Sequence, residues 1–174
     1  MLPDATIRTI PSLDLLATYF DTKDLTLARA GITVRHRTGD GPPTWTLKLP
    51  AGNHSNLMVR RELDIEGERN RRPPELRAIV AVHLRGQRLV PVATLHTSRD
   101  RVMVMDEHDH ELVEIARDAV TATRRHGEHS SWDEIEIEAK DAIIGDEVRG
   151  EVARALRAGG CKKAAAVPKL IRAL

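Results

Sequence analysis

The dominant pattern along the chain is an alternation of polar and apolar residues with a period of two. This period is typical of β-strands that bury one face, because successive side chains of a strand point to opposite sides. The pattern predicts seven strand-like segments, of which the fifth is either one long strand or a broken pair. These segments are Leu15–Phe20, Ile32–Arg37, Thr44–Leu49, Leu57–Ile65, Val92–Thr97 with Arg101–Met105, Glu111–Thr123 and Ser131–Glu138.

Helical patterns are restricted to a few shorter stretches. Glycine follows three of them, as is common after a helix C-terminus, and Pro168 interrupts the last. The fold class is therefore predicted as mainly β (α+β), with antiparallel strands and two or three flanking helices. The stretches are Asp24–Ala30, which has the length of one or two helical turns, Glu75–Leu84, Gly145–Ala158 and Ala164–Leu174.

Charge is concentrated on single faces of several predicted strands. In Ile32–Arg37 the two arginines share one face, and the other face is apolar apart from His36. In the last strand, three glutamates alternate with Ile135 and Ile137. The residues on these charged faces are Arg35, Arg37, Lys48, Arg60, Glu62, Asp64, Arg99, Arg101, Glu114, Asp118, Glu134, Glu136 and Glu138.

Two interpretations of these charged faces are open. For any single strand, a solvated outer face is the ordinary explanation, because antiparallel sheets commonly expose one side to water. Taken together, basic faces in early strands and an acidic face in the last strand favour a second interpretation. Three glutamates on one face repel each other unless a divalent cation or arginines neutralise them, and clustered arginines attract phosphates. A barrel with its charged faces inside and its apolar faces packed against helices satisfies both sets.

Composition and length narrow the function classes. The 174 residues suit one compact domain, and 41% of them are hydrophobic. Lysine and arginine number 27 against 26 acidic residues, and aromatics are 2%, so no nucleic-acid surface is indicated. No apolar run reaches the roughly 18 residues of a membrane helix. A single cysteine, Cys161, excludes an internal disulfide and fits a cytoplasmic location.

The order of several short motifs resembles that of CYTH domains, which belong to the triphosphate tunnel metalloenzymes. Each motif alone is weak, whereas the ordered set is specific and covers the chain from about Leu15 to Leu174. The motifs are Tyr19-Phe20-Asp21-Thr22, Leu27–Ile32, Arg35-His36-Arg37, Trp45–Lys48, Arg60-Arg61-Glu62, Trp132–Glu138 and Val167–Leu170.

This resemblance implies a fold, a reaction class and a cofactor. CYTH domains are antiparallel β-barrels with a charged tunnel, and most hydrolyse a triphosphate with Mg²⁺ or Mn²⁺. The expected function is metal-dependent hydrolysis of inorganic triphosphate or of a triphosphorylated organic substrate. A non-catalytic module that binds polyphosphate or nucleotides is the alternative, and adenylate cyclase is the third. Neither nucleic acid nor a membrane is an expected partner, and a homodimer is one open alternative for the oligomeric state.

The resemblance also assigns site residues by their positions in the matching motifs. No catalytic acid or base is assigned. The phosphate-binding positions are Arg35, Arg37, Lys48, Arg60, Arg99, Arg101 and Lys169. The metal-side positions are Glu62, Glu114, Glu134, Glu136 and Glu138.

One family feature has no counterpart in the sequence. CYTH domains carry a Glu-x-Glu-x-Lys motif on their first strand, and Met1–Pro11 contains only Asp4 as an acidic residue. Residues 1–174 are therefore expected to form a single CYTH-like domain that is N-terminally incomplete, with about seven of eight strands. Fewer carboxylates are expected to weaken metal binding and to impair hydrolysis.

Overall fold

The computed structural model describes residues 5–54, 57–140, 144–164 and 168–174, and for residues 51–54, 57–60 and 144 it describes the backbone alone. The predicted number of strands and the mainly β class are confirmed within this part of the chain. The strands are β1 (Thr6–Asp21), β2 (Thr33–Thr38), β3 (Thr44–His54), β4 (Leu57–Glu66), β5 (Val90–Met105), β6 (Glu111–Arg124) and β7 (His129–Ala139). The helices are α1 (Thr26–Arg29), α2 (Pro74–Leu84), α3 (Ile144–Ala158) and α4 (Lys169–Ala173).

All seven strands belong to one hydrogen-bonded sheet with the order β4-β3-β2-β1-β5-β6-β7. The pairs β1–β2, β2–β3 and β3–β4 are antiparallel, which confirms the predicted strand arrangement. The fifth strand is one continuous element rather than a broken pair.

Several element boundaries differ from the predicted ones, among them the end of β3, which lies at His54 instead of Leu49, and the starts of β1 and of the terminal helix. β1 begins at Thr6, before the predicted start at Leu15, and most of its first eight residues are exposed. An exposed strand has no apolar face, so the period of two that marks a strand is weak there. The terminal helix begins at Lys169 because Pro168 has an extended ψ of 143°, while residues 165–167 of the predicted helix lie outside the described residues.

The chain divides into two compact units, and each is described by itself. Unit 1 comprises Met1–Leu13, Thr97–Val120 and Trp132–Ala165. Unit 2 comprises Asp14–His96, Thr121–Ser131 and Ala166–Leu174. The longest strands contribute residues to both units, so each unit contains part of the sheet.

In unit 2, one face of β2 and β3 packs against α1 and α2. Val34 lies opposite Leu47 in the register of the two strands, and both side chains are fully buried. They share a core with Leu27 of α1 and Leu76 of α2. Each such leucine or valine contributes about 1.5–3 kcal/mol when fully buried. The alternation along β2 and β3 therefore directs their apolar side chains toward the helices and the arginines to the opposite face.

The buried Asp21 organises the start of α1. Its Oδ1 accepts hydrogen bonds from the backbone N–H groups of Thr22 at 2.6 Å and Leu27 at 2.9 Å, and its Oδ2 accepts one from Ala28 at 2.9 Å. The first N–H groups of a helix have no partner within the helix, so this carboxylate satisfies donors that would otherwise be buried without an acceptor. Asp21 in the YFDT motif thus has a structural role.

In unit 1, α3 covers the apolar face of β6 and β7. Val148 and Val152 of the helix pack with Val113, Ile115 and Ile137 of the strands. These strand positions alternate with the glutamates predicted for the site. The predicted separation of apolar and charged faces therefore holds at these positions, whereas further along β6 the buried Ala116 and Val120 lie on the same face as Glu114 and Asp118.

Gly145 allows the first turn of α3 to approach these strands closely. A Cβ atom at this position would lie 3.0 Å from the Cβ of Ala139 and 3.1 Å from the carbonyl oxygen of Leu112. Such distances are shorter than ordinary van der Waals contacts. A larger residue would therefore push the helix away from β6 and β7.

Candidate functional site

Basic residues occupy one face of β2 and β3 in unit 2. Residues that lie directly opposite each other in an antiparallel pair share a face of the sheet. Arg35 lies opposite Tyr19 on one side and Thr46 on the other, and Lys48 lies opposite Thr33 and Glu62. We call Arg35, Arg37 and Lys48 the basic row. This face is opposite to the one that packs against the helices, as the alternation predicted.

Arg35 contains a donor that the described part of the chain leaves unsatisfied. Its Nε atom is buried and has no hydrogen-bond partner among the described residues. A buried donor without an acceptor carries a desolvation cost that an anionic ligand would remove. The guanidinium also matches the geometry of phosphate oxygens. The orphaned Nε is therefore an observation of this structure that fits a bound phosphate group.

The other members of the basic row have acidic partners. Lys48 Nζ lies 2.6 Å from Glu62 Oε1, and Arg37 Nη2 lies 3.3 Å from Asp40 Oδ2. Glu62, predicted as a metal ligand, is thus the ion-pair partner of Lys48. These pairs are partly exposed, so each holds its side chain in place with only a modest energy.

Two further predicted phosphate binders belong to unit 2. Arg60 lies opposite Pro50 in the β3–β4 register, which continues the series of positions that contains Lys48 and Glu62, and its side chain lies outside the described part. Lys169 is the first residue of α4 and is partly buried. Their roles toward a ligand remain predictions.

Unit 1 contains a cluster of three carboxylates on β6 and β7. One ligand atom from each of Asp118, Glu134 and Glu136 lies within 4.8 Å of the others, and we call these residues the acidic triad. Asp118 is fully buried, whereas Glu136 is exposed at the surface. Glu134 Oε2 accepts a hydrogen bond from Trp132 Nε1 at 3.1 Å. Two predicted metal ligands, Glu134 and Glu136, therefore come together with a third carboxylate that was not assigned a role.

Arg99 of β5 binds two members of the triad. Its Nε donates to Asp118 Oδ1 and its Nη2 to Asp118 Oδ2, both at 2.7 Å. Nη2 also donates to Glu136 Oε2 at 2.5 Å. The hydrogen bond with Asp118 raises the pKa of Arg99 above its ordinary value, although burial acts to lower it. Arg99 is thus a permanent cation held against the triad.

A second group of charges in unit 1 surrounds the buried Glu114. Lys140 Nζ lies 3.1 Å from both Glu114 Oε2 and Glu138 Oε2. Arg101 Nη1 lies 3.9 Å from Glu114 Oε1, and Arg101 also donates to the backbone oxygen of Pro11 at 2.8 and 3.0 Å. Burial acts to lower the pKa of Lys140, but hydrogen bonds to Glu114 and Glu138 outweigh it and raise this pKa. The predicted metal ligands Glu114 and Glu138 therefore share a lysine, and Lys140 together with Arg101 balances their two negative charges.

Asp118 and Lys140 were not assigned a role from the sequence, although the alternation of charged residues includes both positions. Asp118 lies four positions after Glu114 on the same face of β6, and Lys140 follows Glu138 at the next position of the same parity. Both therefore continue the alternation that marked the glutamates. Among the described residues, the acidic triad is the group of three or more potential metal ligands that the structure brings together.

The acidic triad fits a divalent cation by its donor chemistry. Carboxylate oxygens are the ligands that Mg²⁺ and Mn²⁺ prefer in proteins. Three carboxylates with one arginine leave a formal charge of about −2 at neutral pH, which a divalent ion would balance. The residues present therefore suit such an ion.

A helix that crosses a membrane must be both long and apolar. Within the described ranges, no helix combines the length and apolar character that a membrane span requires.

A family model and two relatives match most of the chain. The model of the CYTH domain matches residues 6–154 of the chain. Two relatives, described as uncharacterized proteins of Mycobacterium tuberculosis strains CDC 1551 / Oshkosh and ATCC 25618 / H37Rv, are 32% identical over 177 aligned residues. The alignment covers 94% of this chain and 34% of each relative. The chain therefore spans about a third of the length of these relatives.

Solved structures share the fold at low sequence identity. A Bacillus halodurans protein assigned as a candidate adenylate cyclase is 16% identical, with a TM-score of 0.57, and covers 97% of this chain and 95% of its own. A candidate adenylyl cyclase from Hippeastrum with a dominant triphosphatase activity is 14% identical, with a TM-score of 0.53. It covers 94% of this chain and 82% of its own. At this identity the likeness establishes the fold.

Proposed function

Because the chain belongs to the CYTH domain family, whose members bind triphosphate substrates, we propose that it hydrolyses a triphosphate with the help of a divalent cation. The substrate class is inorganic triphosphate or an organic compound that carries a triphosphate. The observation that carries this proposal is the convergence of the Asp118, Glu134 and Glu136 oxygens within 4.8 Å.

The acidic triad is the proposed metal site. When bound there, Mg²⁺ or Mn²⁺ would neutralise charge on the phosphate oxygens and favour attack by water. The chain contributes the carboxylates that would hold the ion, and the fully buried Asp118 is the least exposed of them. Trp132 donates to Glu134 and thereby limits the orientations of that carboxylate.

The basic row has the proposed role of binding phosphate oxygens. Arg35 offers an Nε that has no partner in the described ranges, and Lys48 is held by Glu62 at 2.6 Å. Arginine is suited to this role because its planar fork can donate two parallel hydrogen bonds to one phosphate. This part of the proposal is independent of the metal and can be tested by itself.

The deciding experiment measures products from inorganic triphosphate and from ATP with Mg²⁺ or Mn²⁺. Metal-dependent release of orthophosphate from either substrate is expected. Cyclic AMP from ATP would instead favour the cyclase alternative. Absence of both products, with the protein folded and the metal varied, would contradict the enzymatic proposal.

A second candidate function is binding without catalysis. Arg35 favours it, because its Nε–H, which has no partner among the described residues, would donate to an anion whether or not a metal is present. Binding would raise the melting temperature of the protein with tripolyphosphate in the presence of a chelator. Such stabilisation without any turnover would support the binding module over the hydrolase.

Replacing Arg35 by glutamine is expected to weaken tripolyphosphate binding about 10- to 100-fold, the effect of losing hydrogen bonds to a charged group. Calorimetric titration in the presence of a chelator measures this change. Arg61→Gln is the matched control, because Arg61 is exposed, lies opposite Leu49 and belongs to the other face of β4. Equal affinities of the two variants would remove Arg35 from the phosphate site.

A further inference from the structure

Arg99 is hydrogen-bonded to carboxylate oxygens that a metal ion at the acidic triad would need as ligands. Its three hydrogen bonds engage both oxygens of Asp118 and one oxygen of Glu136, which is half of the six oxygens of the triad. The side chain of Asp118 is fully buried, and that of Arg99 is 15% exposed. Water therefore has little access to this ion pair, and Asp118 depends on a cation from the protein or from solution.

A divalent ion and the guanidinium would meet strong mutual repulsion at these oxygens. Both are cations, and the ligand atoms of the triad lie within 4.8 Å of one another. Repulsion between charges at such distances is large in a partly buried site. Arg99 has a long flexible side chain, whereas Asp118 lies inside strand β6. Arg99 is thus the partner that can move.

We propose that Arg99 is the internal counter-cation of the acidic triad, which competes with the divalent ion for Asp118 and Glu136 and leaves these carboxylates when the ion binds. This inference rests on the proposed function, since it requires that the triad is the metal site. The released guanidinium then becomes available to an anionic ligand. Binding of the metal and availability of Arg99 are therefore coupled.

Arg99 could instead support metal binding, and this role predicts the opposite change in metal affinity when Arg99 is removed. If Arg99 only holds the carboxylates in position, its removal would leave them disordered and metal binding would weaken. If Arg99 competes, its removal takes away one cation that occupies these oxygens, and metal binding becomes tighter. The sign of the change in affinity therefore separates competition from simple positioning.

The test is calorimetric titration of the intact chain with Mn²⁺ alone, without a phosphate ligand. Arg99→Gln is expected to bind Mn²⁺ about 10- to 100-fold more tightly than the unmodified protein, because the competing charged hydrogen bonds are removed. Arg99→Lys keeps the charge but loses the fork, so an intermediate affinity is expected. The lysine variant also decides the sign if the glutamine variant does not fold.

The matched control removes one positive charge from the face of β6 that is opposite to Asp118. Arg117 lies on β6 next to Asp118 in sequence, is exposed, and has Asp133 as its partner at 3.8 Å. Arg117→Gln is expected to change Mn²⁺ affinity less than about twofold, since exposed charges are screened by water and salt.

The fluorescence of Trp132 provides a second measurement of Mn²⁺ binding at the acidic triad. The chain has two tryptophans, and the indole of Trp132 is hydrogen-bonded to Glu134, whereas Trp45 is buried in the core of unit 2. Mn²⁺ bound at the triad is expected to quench the Trp132 fluorescence, and Trp132→Phe is expected to remove this signal. Quenching and heat should give the same affinity.

The possible results distinguish failure of the proposed competition from failure of the proposed metal site. Equal or weaker Mn²⁺ binding by both Arg99 variants would overturn the competition while leaving the metal site in place. Absence of Mn²⁺ binding in the unmodified protein and in both variants would overturn the proposed metal site and the competition together.

Discussion

Replacing Asp118 by asparagine is expected to lower metal-dependent hydrolysis of inorganic triphosphate by about 100-fold or more, the usual effect of removing a group that stabilises charge in a transition state. Asparagine has nearly the same shape as aspartate, but its amide carries no negative charge. The triad would then offer a divalent ion two carboxylates instead of three. Phosphate release with saturating Mn²⁺ measures the loss.

Loss of structure must be distinguished from loss of the metal ligand in this variant. Asp118 also neutralises Arg99, so Asp118→Asn removes one partner of a mostly buried ion pair and is expected to reduce stability. Thermal unfolding locates a temperature at which the variant is folded, and activity is compared there. A folded variant with full activity would show that Asp118 is not a metal ligand.

Asp133→Asn is the matched control for Asp118. Asp133 is an exposed residue of β7, and its partner Arg117 lies 3.8 Å away. The substitution removes the same charge from unit 1 without touching the triad. Unchanged hydrolysis is expected, because an exposed ion pair of this kind contributes little. A comparable loss in both variants would point to net charge rather than to metal ligation.

Replacing Asp21 by alanine is expected to lower the free energy of unfolding by about 2–4 kcal/mol, because several buried N–H groups lose their acceptor. The carboxylate accepts three backbone hydrogen bonds at the start of α1, and α1 contributes Leu27 to the core of unit 2. Urea unfolding measures the change as a lower midpoint.

The control for Asp21 is its exposed neighbour Asp24. The carboxylate of Asp24 accepts a hydrogen bond of 3.3 Å from Gln87 at the surface. Asp24→Ala is expected to change stability by no more than about 0.5 kcal/mol, as is usual for surface substitutions. If Asp21→Ala costs no more than this, water replaces the carboxylate and the proposed role of Asp21 as a cap is wrong.

The face of each residue could be predicted from the sequence, because the period of two is a local property of a strand. Val34 and Leu47 lie on the apolar side and Arg35 and Lys48 on the opposite side, as expected. The same holds in unit 1, where Ile137 packs against α3. Alternation requires no knowledge of neighbouring strands, so one sequence is sufficient.

The partner of each charged residue could not be predicted in the same way. Five glutamates were assigned to the metal side, and the structure brings Glu134 and Glu136 together with Asp118, whereas Glu114 and Glu138 share Lys140. Which residues meet depends on the register between strands that are distant in sequence. Register is set by turns and by packing of the buried face.

The start of β1 could not be predicted from the sequence for the same reason. The first eight residues of β1 form a strand although most of them are exposed, because hydrogen bonds to neighbouring strands define the element. Those bonds are made with residues far away in the chain, and hydrophobic alternation does not report on them.

The sequence by itself determined the strand alternation, the mainly β class, the helices that cover the apolar faces and the family resemblance carried by ordered motifs. These properties follow from local periodicity and residue chemistry. The tertiary structure alone decided that Arg99 binds Asp118 and Glu136 and that Arg35 retains a donor without a partner among the described residues. Such contacts depend on distances between side chains of different strands, which only the folded chain defines.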